Sequence, residues 1–263
     1  MRAETESTAP ATTWRPPRFW LFLQWLGRFL MPLLARLQVS GDVPDALRRG
    51  PLILAANHIS PFDPIVLTVA TSVRRIAPRI MATGGLFRAP VVGRVMRASG
   101  HIRVDRRAAT VGDSLQAAAD AVKEGSVVMV YPEGRIGLDP TMWPERGKTG
   151  AARLALASGA PVVPIAQWGS HEVVPYVTSF KGIVRGAARS MIHRPIIKVR
   201  FGAPIDLSDL RPGAPGSAQR ATERIIEGLT ETLAAIRPDE LDGPRFVDPT
   251  RPADLSRRYH RRP

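Results

Sequence analysis

Leu54-Ala-Ala-Asn57-His58-Ile-Ser-Pro61-Phe-Asp63-Pro64-Ile-Val-Leu67 is the stretch from which the chain is read. An apolar run stops at Asn57-His58, the one place in the chain where Asn occurs. Asp63 follows five residues after His58, held between Pro61 and Pro64. A short apolar run bounded by proline reads as a buried strand. Pro64 suits the first turn of a helix and Asp63 its N-cap. Strand, stiff turn and helix in succession are the unit of an α/β sheet. The turn also holds an imidazole near a carboxylate. That pairing can supply a general base and the group that orients it. A structural histidine beside a helix cap is the plainer alternative.

The same alternation continues outward. Further strands are expected at 79–82, 101–104, 127–131, 162–166 and 196–201, beside the one at 51–56. Helices are expected at 64–73, 90–98, 110–124, 150–158 and 217–236. In 110–124, Leu115, Ala118, Ala119 and Val122 share a face, Thr110 can cap, and Gly125 stops the helix. In 217–236, Ile225, Leu229 and Leu233 lie on one side. The expected fold is α/β: a single mixed, largely parallel sheet flanked by helices.

Before the sheet comes a different segment. Residues 19–37 are almost wholly apolar, with Gln24, Arg28 and Arg36 falling on one helical stripe. The run is short of the roughly 20 residues of a spanning helix, and Pro32 interrupts it. Two Trp and a broad apolar face favour an interfacial helical membrane motif over 19–38. Packing of this helix on its own domain is the alternative. Residues 1–18 read as a disordered lead without the features of a secretory signal. Residues 39–242 form the α/β domain, and 243–263 a basic disordered tail.

Composition narrows the chemistry. The chain of 263 residues has no Cys, which excludes a thiol nucleophile, a disulfide framework and Cys-bound zinc. The five histidines, at 58, 101, 171, 193 and 260, show no metal-ligand spacing, so no metal is expected. The formal charge is +14, carried by Arg far more than by Lys. Arg presents a planar fork that matches phosphate oxygens. Nucleic acid and an anionic membrane both fit that charge. The aromatics gather in the N-terminal apolar stretch instead of alternating with cations along the domain, which argues against nucleic acid.

Three more loops follow expected strands, where ligands gather in open α/β sheets. Gly100-His-Ile-Arg103-Val-Asp-Arg106 offers two cations. Tyr131-Pro-Glu133-Gly134-Arg135 ends the strand at 127–131, with Arg146 and Lys148 farther on. Val163-Pro-Ile-Ala166 forms an apolar wall. Gly147-Lys148-Thr149 mimics the end of a P-loop, but Met142 stands where its first Gly would be.

These four segments, in this order over about residues 50–205, resemble the glycerolipid acyltransferase family, in particular its 1-acyl-glycerol-3-phosphate acyltransferases. The resemblance implies that His58 is the general base for the hydroxyl of a lysophospholipid and that Asp63 orients it. The hydroxyl then attacks an acyl-CoA or acyl-carrier-protein thioester directly, with no other cofactor. Asn57, Arg103, Arg106, Glu133, Gly134 and Arg135 become substrate-binding candidates. Such enzymes commonly read Glu-Gly-Thr-Arg where this chain has Glu133-Gly134-Arg135-Ile136, so Arg146 or Lys148 can replace Arg135 at the phosphate. The expected location is the cytoplasmic face of the cell membrane, peripheral or monotopic. A different lysolipid or glycolipid acceptor, or a non-catalytic basic membrane-binding protein, are the competing readings.

Overall fold

The central strand, β2 (Leu52–Ala56), is buried at all five positions. Leu52, Leu54 and Ala56 point into one core layer, and Ile53 and Ala55 into the other. A strand covered on both faces reads as a continuous apolar run. Each Leu or Ile buried there contributes about 1.5–3 kcal/mol relative to exposure. The computed structural model describes residues 14–105, 111–175 and 180–237.

The other strands are β1 (Arg36–Ser40), β3 (Arg79–Thr83), β4 (Ile102–Val104), β5 (Val127–Val130), β6 (Val162–Trp168) and β7 (Ile196–Phe201). They form one seven-stranded sheet in the order β1-β7-β6-β2-β5-β3-β4. Among the described strands only the β6–β7 pairing is antiparallel, so the sheet is mixed and largely parallel. On one face lie α1 (Arg18–Leu34) and α2 (Asp63–Val73), whose buried residues join the layer of Leu54. On the other lie α5 (Val111–Lys123), α6 (Gly150–Ser158) and α9 (Ser217–Ala234). Two short helices, α3 (Gly84–Arg88) and α4 (Pro90–Ala98), join β3 to β4. Two more, α7 (Ser170–Val173) and α8 (Phe180–His193), join β6 to β7. The carboxyl ends of β5, β2 and β6 are therefore neighbours, which brings residues 131, 57 and 168 to one sheet edge.

The N-terminal reading needs correction. Residues 14–17 are not a loose lead: the Trp14 amide donates to Glu124 O at 2.8 Å, and the Arg79 guanidinium lies over the Trp14 ring. Residues 1–13 and the expected tail at 243–263 lie outside the described residues, as do Arg106 and Thr110. Arg36 belongs to β1, and only Ala35 separates β1 from α1, so the sheet begins inside the segment assigned to the motif. The expected polar stripe does not hold as one face: Arg28 and Arg36 are exposed, but Gln24 is not. Gln24 is buried, and its amide donates to the Ile76 carbonyl at 2.9 Å. Trp20 and Met31 face the same core. A buried carbonyl needs a donor, and Gln24 supplies one across 52 residues of sequence. Beside Arg28, the outward side is apolar: Phe22, Trp25, Phe29 and Leu33 are all exposed.

Trp20 also sets its ring edge-on to His101, with centroids 4.5 Å apart. His101 Nδ1 accepts the Ile80 amide at 3.1 Å, so the neutral ring is the one that fits. Burial, reinforced by Arg79, lowers its pKa to about 4. The unfolded chain takes up this proton near pH 6.5, before the folded chain does. Stability from this contact is therefore complete above pH 6.5 and declines as pH falls towards 4. Thermal melts followed by circular dichroism should show that decline. His101→Phe should start lower and lose less over the same interval; an equal slope would remove His101 as its source.

Candidate active site

β2 ends at Ala56, and the next side chain closes the sheet. Asn57 is fully buried. Its amide donates to Gln167 O at 3.0 Å and accepts from Gln167 N at 2.8 Å. The Gln167 side chain returns a bond to Asn57 O. Asn57 was expected to meet substrate; instead it clamps the end of β2 to β6. A side chain that supplies both a donor and an acceptor at this depth leaves few choices besides Asn.

The chain then turns, and the turn is built around one carboxylate. Asp63 is fully buried, and its Oδ2 lies 2.8 Å from His58 Nδ1. The same oxygen accepts the amides of Ile59 at 2.6 Å and Ser60 at 2.9 Å. Oδ1 accepts the Ser170 hydroxyl at 2.6 Å. Two of these four partners, the amides, can only donate, and both meet Oδ2, the pattern an acceptor carboxylate oxygen requires. His58 Nδ1 therefore carries its proton towards Asp63. Asp63 is not the N-cap that sequence suggested. It is the first residue of α2, Phe62 is the cap without a side-chain bond, and the carboxylate reaches back to the preceding loop.

His58 is fixed on its remaining sides. Its ring stacks on Tyr131, with centroids 4.1 Å apart. Burial, and then the charge of Asp63, raises the Tyr131 pKa well above its ordinary value, so the stacking partner stays neutral. The His58 amide donates to Glu133 Oε1 at 3.2 Å, and its carbonyl accepts the Gly137 amide at 2.7 Å. The side chain remains 17% exposed. With Nδ1 engaged, Nε2 is the atom left to meet a proton.

The third loop is a brace for this turn. Glu133 is almost fully buried and also accepts the Glu145 amide through Oε2. Glu145 in turn accepts the amides of Leu138 and Asp139 and pairs with Arg135 at 3.1 Å. Gly134 has φ +70°, and a Cβ there would sit 3.1 Å from the Lys148 stem. That backbone conformation favours glycine. Arg135, Glu133 and Lys148 are thus brought to the sheet edge of His58. Arg103 is not: it lies on edge strand β4, paired with Asp105 at 2.8 Å, with β5 and β3 between it and β2. That spacing is about 14 Å. At the far side of the loop, the Arg237 guanidinium lies between the rings of Trp143 and Trp168, 3.9 and 4.0 Å from their centroids. Its Nη1 donates to Thr141 O.

Sequence reading missed Ser170, Gln167 and Glu145. Ser170 and Gln167 stand 107 and 110 residues from their partners, so spacing could not reveal them. Gly169-Ser170 does follow the apolar strand β6, and that position was the available signal.

A buried carboxylate held against an imidazole at the end of a central parallel strand is chemically able to serve base-catalysed transfer or hydrolysis. The family model described as Acyltransferase matches residues 36–168, a span holding both groups, and the chain belongs to that family. An uncharacterized protein of Mycobacterium tuberculosis is 32% identical over 171 residues, covering 60% of this chain and 44% of that protein. A chloroplastic 1-acyl-sn-glycerol-3-phosphate acyltransferase of Brassica napus is 33% identical over 162 residues, covering 60% of this chain and 43% of that one. A lyso-ornithine lipid O-acyltransferase of Rhizobium meliloti is 28% identical over 182 residues, covering 68% and 57%. The match thus spans less than two thirds of each of these relatives. The Thermotoga maritima 1-acyl-sn-glycerophosphate acyltransferase shares the fold, with a TM-score of 0.61 at 18% identity over 84% of this chain and 81% of that one.

Proposed function

We propose that the protein transfers a fatty acyl group from an acyl thioester, acyl-CoA or acyl-carrier protein, to the free hydroxyl of 1-acyl-glycerol-3-phosphate, giving phosphatidic acid. The observation that carries this reading is the fully buried Asp63 bonded to His58 Nδ1 at 2.8 Å. His58 Nε2 takes the hydroxyl proton as the oxygen attacks the thioester carbonyl. The C–S bond then breaks, and the imidazolium returns its proton to the departing thiolate. Asp63 holds the ring and stabilises its charge between those steps. No acyl-enzyme is needed. The chain has no Cys, and the two serines of this turn are committed: Ser60 Oγ donates to Val174 O and Ser170 Oγ to Asp63.

The acceptor phosphate falls to Arg135, with Lys148 and Arg146 beside it in the loop and Arg103 and Arg106 as the more distant candidates. Arg135 pairs with Glu145, which fixes its guanidinium in this loop, and its planar fork suits phosphate oxygens. Arg135→Ala should raise the acceptor KM about tenfold or more, as loss of a hydrogen bond to a charged group does. The donor KM should stay unchanged. An unchanged acceptor KM would move the phosphate to the other cations.

The lipid substrate implies a membrane, and α1 supports one. Phe22, Trp25 and Phe29 stack in series along its outer side. Phe29 is 69% and Trp25 61% exposed. No helix among the described residues is long and apolar enough to cross a bilayer. In this reading the helix lies in the membrane interface, on the cytoplasmic face, with its exposed aromatics among the lipids. A panel of lysolipids, including lyso-ornithine lipid, tested with acyl-CoA for thiol release and product mass decides the acceptor. Turnover with another lysolipid alone would replace 1-acyl-glycerol-3-phosphate.

A further inference from the structure

Helix α8 has three faces. At about 100° per residue, Gly182, Gly186 and Ser190 fall on one side, and this side faces the domain. A Cβ on Gly186 would collide with Val173 O, so the small residues let the helix backbone sit directly on α7. The side chains that could have packed inward are thus turned outward. Ile183, Val184 and Met191 form one exposed apolar sector. Lys181, Arg185 and Arg189 form the adjoining sector, all exposed, with Ile192 among them at 80% exposure.

Exposed aliphatics on a helix of this size mark a contact surface. The charge says which kind. No Asp or Glu occurs between Glu172 and Asp206, so nothing along α8 offsets its cations. The core of a protein–protein contact is depleted in charge, whereas here cations flank the apolar residues. Apolar residues beside Lys and Arg, with acids absent, match an anionic lipid surface: aliphatics enter the acyl boundary and cations stay at the headgroups. The position agrees. α8 packs against α1, and α1 likewise carries no acid. α8 also follows the segment whose Ser170 and Val174 hold the catalytic turn.

We propose that α8 is a second membrane-contacting element, which lays Ile183, Val184, Met191 and Ile192 into an anionic lipid surface through the support of Lys181, Arg185 and Arg189. This rests on the membrane reading of α1 and adds a second point of contact. Two contacts fix the orientation of the sheet edge relative to the bilayer, where one helix would leave it free to roll.

The absence of Cys permits a direct test, because Ile192→Cys places a single environment-sensitive fluorophore on α8. The full chain is mixed with phosphatidylcholine vesicles with and without phosphatidylglycerol, and emission and sedimentation are read together. The expected result is a blue shift with the anionic vesicles only. Met191→Asp with Arg185→Glu should weaken sedimentation about tenfold with circular dichroism unchanged. If vesicles sediment the protein without a blue shift, and Trp25→Asp abolishes sedimentation, α8 is not a contact while the reading of α1 stands. If no vesicle sediments the protein, both fail. A blue shift that grows with protein concentration without lipid would give this face to a second copy of the chain.

Discussion

His58→Ala is expected to lower kcat for acyl transfer about a thousandfold, within the 10²–10⁴ range that general-base catalysis supplies. Structurally the ring supplies one bond to Asp63 and the stacking on Tyr131. Its backbone bonds, to Glu133 and from Gly137, do not depend on the side chain. Asp63 keeps its bonds from Ile59, Ser60 and Ser170, so the turn should keep its shape, and the melting temperature should fall by a few degrees from the lost stacking on Tyr131 and the lost bond to Asp63. The acceptor KM should change little, because the phosphate candidates lie on the other loop. Stopped assays of thiol release, with circular dichroism on the same preparation, check both halves. A variant that retains more than a tenth of the activity would exclude His58 as the base.

Asp63→Asn tests the other member and separates orientation from packing. Oδ2 accepts three donors, so the amide nitrogen cannot sit there without opposing the amides of Ile59 and Ser60. At the Oδ1 position it meets only the Ser170 hydroxyl, which can rotate to accept. Asn therefore fits in one orientation, and the fold survives. What is lost is the negative charge that, in the proposed mechanism, stabilises the imidazolium. A fall in kcat of roughly 10³–10⁴ is expected, the scale seen when the orienting carboxylate of a triad becomes an amide. Adding Ser170→Ala to Asp63→Asn leaves a buried amide hydrogen without an acceptor. That double variant should lose about 1–3 kcal/mol more in urea unfolding. Additive behaviour of the two changes would mean that Ser170 and Asp63 are not coupled.

The parts of the fold that sequence revealed are those in which one physical signal dominates. β2 and β5 are apolar throughout because both their faces are covered, and their observed bounds lie within one residue of expectation. α9 showed its core side because Ile225, Leu229 and Leu233 repeat at helical spacing. β1 was missed because it is an edge strand of mixed polarity fused to an apolar helix. α8 was missed because it docks through Gly182, Gly186 and Ser190, which leave no apolar period on the buried side. Gln24 was turned the wrong way because polarity was read as exposure; its amide is spent on the Ile76 carbonyl. In the site, His58 and Asp63 were legible because one short turn contains both. Ser170, Gln167 and Glu145 became visible only once β6 and the loop after β5 were placed beside β2.

That geometry also changes how the N-terminal segment should be probed. Deleting residues 1–38 would remove Trp20, Gln24 and Met31 from the core and three residues from β1. Loss of membrane binding in such a deletion would report unfolding, so point changes at Trp25 and Phe29 are the informative ones.

Direct transfer from a thioester to a lysolipid hydroxyl, with His58 as base, is the proposed reaction. Purified protein, acyl-CoA and 1-acyl-glycerol-3-phosphate in anionic vesicles should release thiol and form phosphatidic acid in equal amounts, with no thiol released when the acceptor is omitted. A burst of thiol without acceptor, with the protein's intact mass raised by one acyl group, would contradict direct attack; no thiol with any lysolipid would contradict the transfer itself.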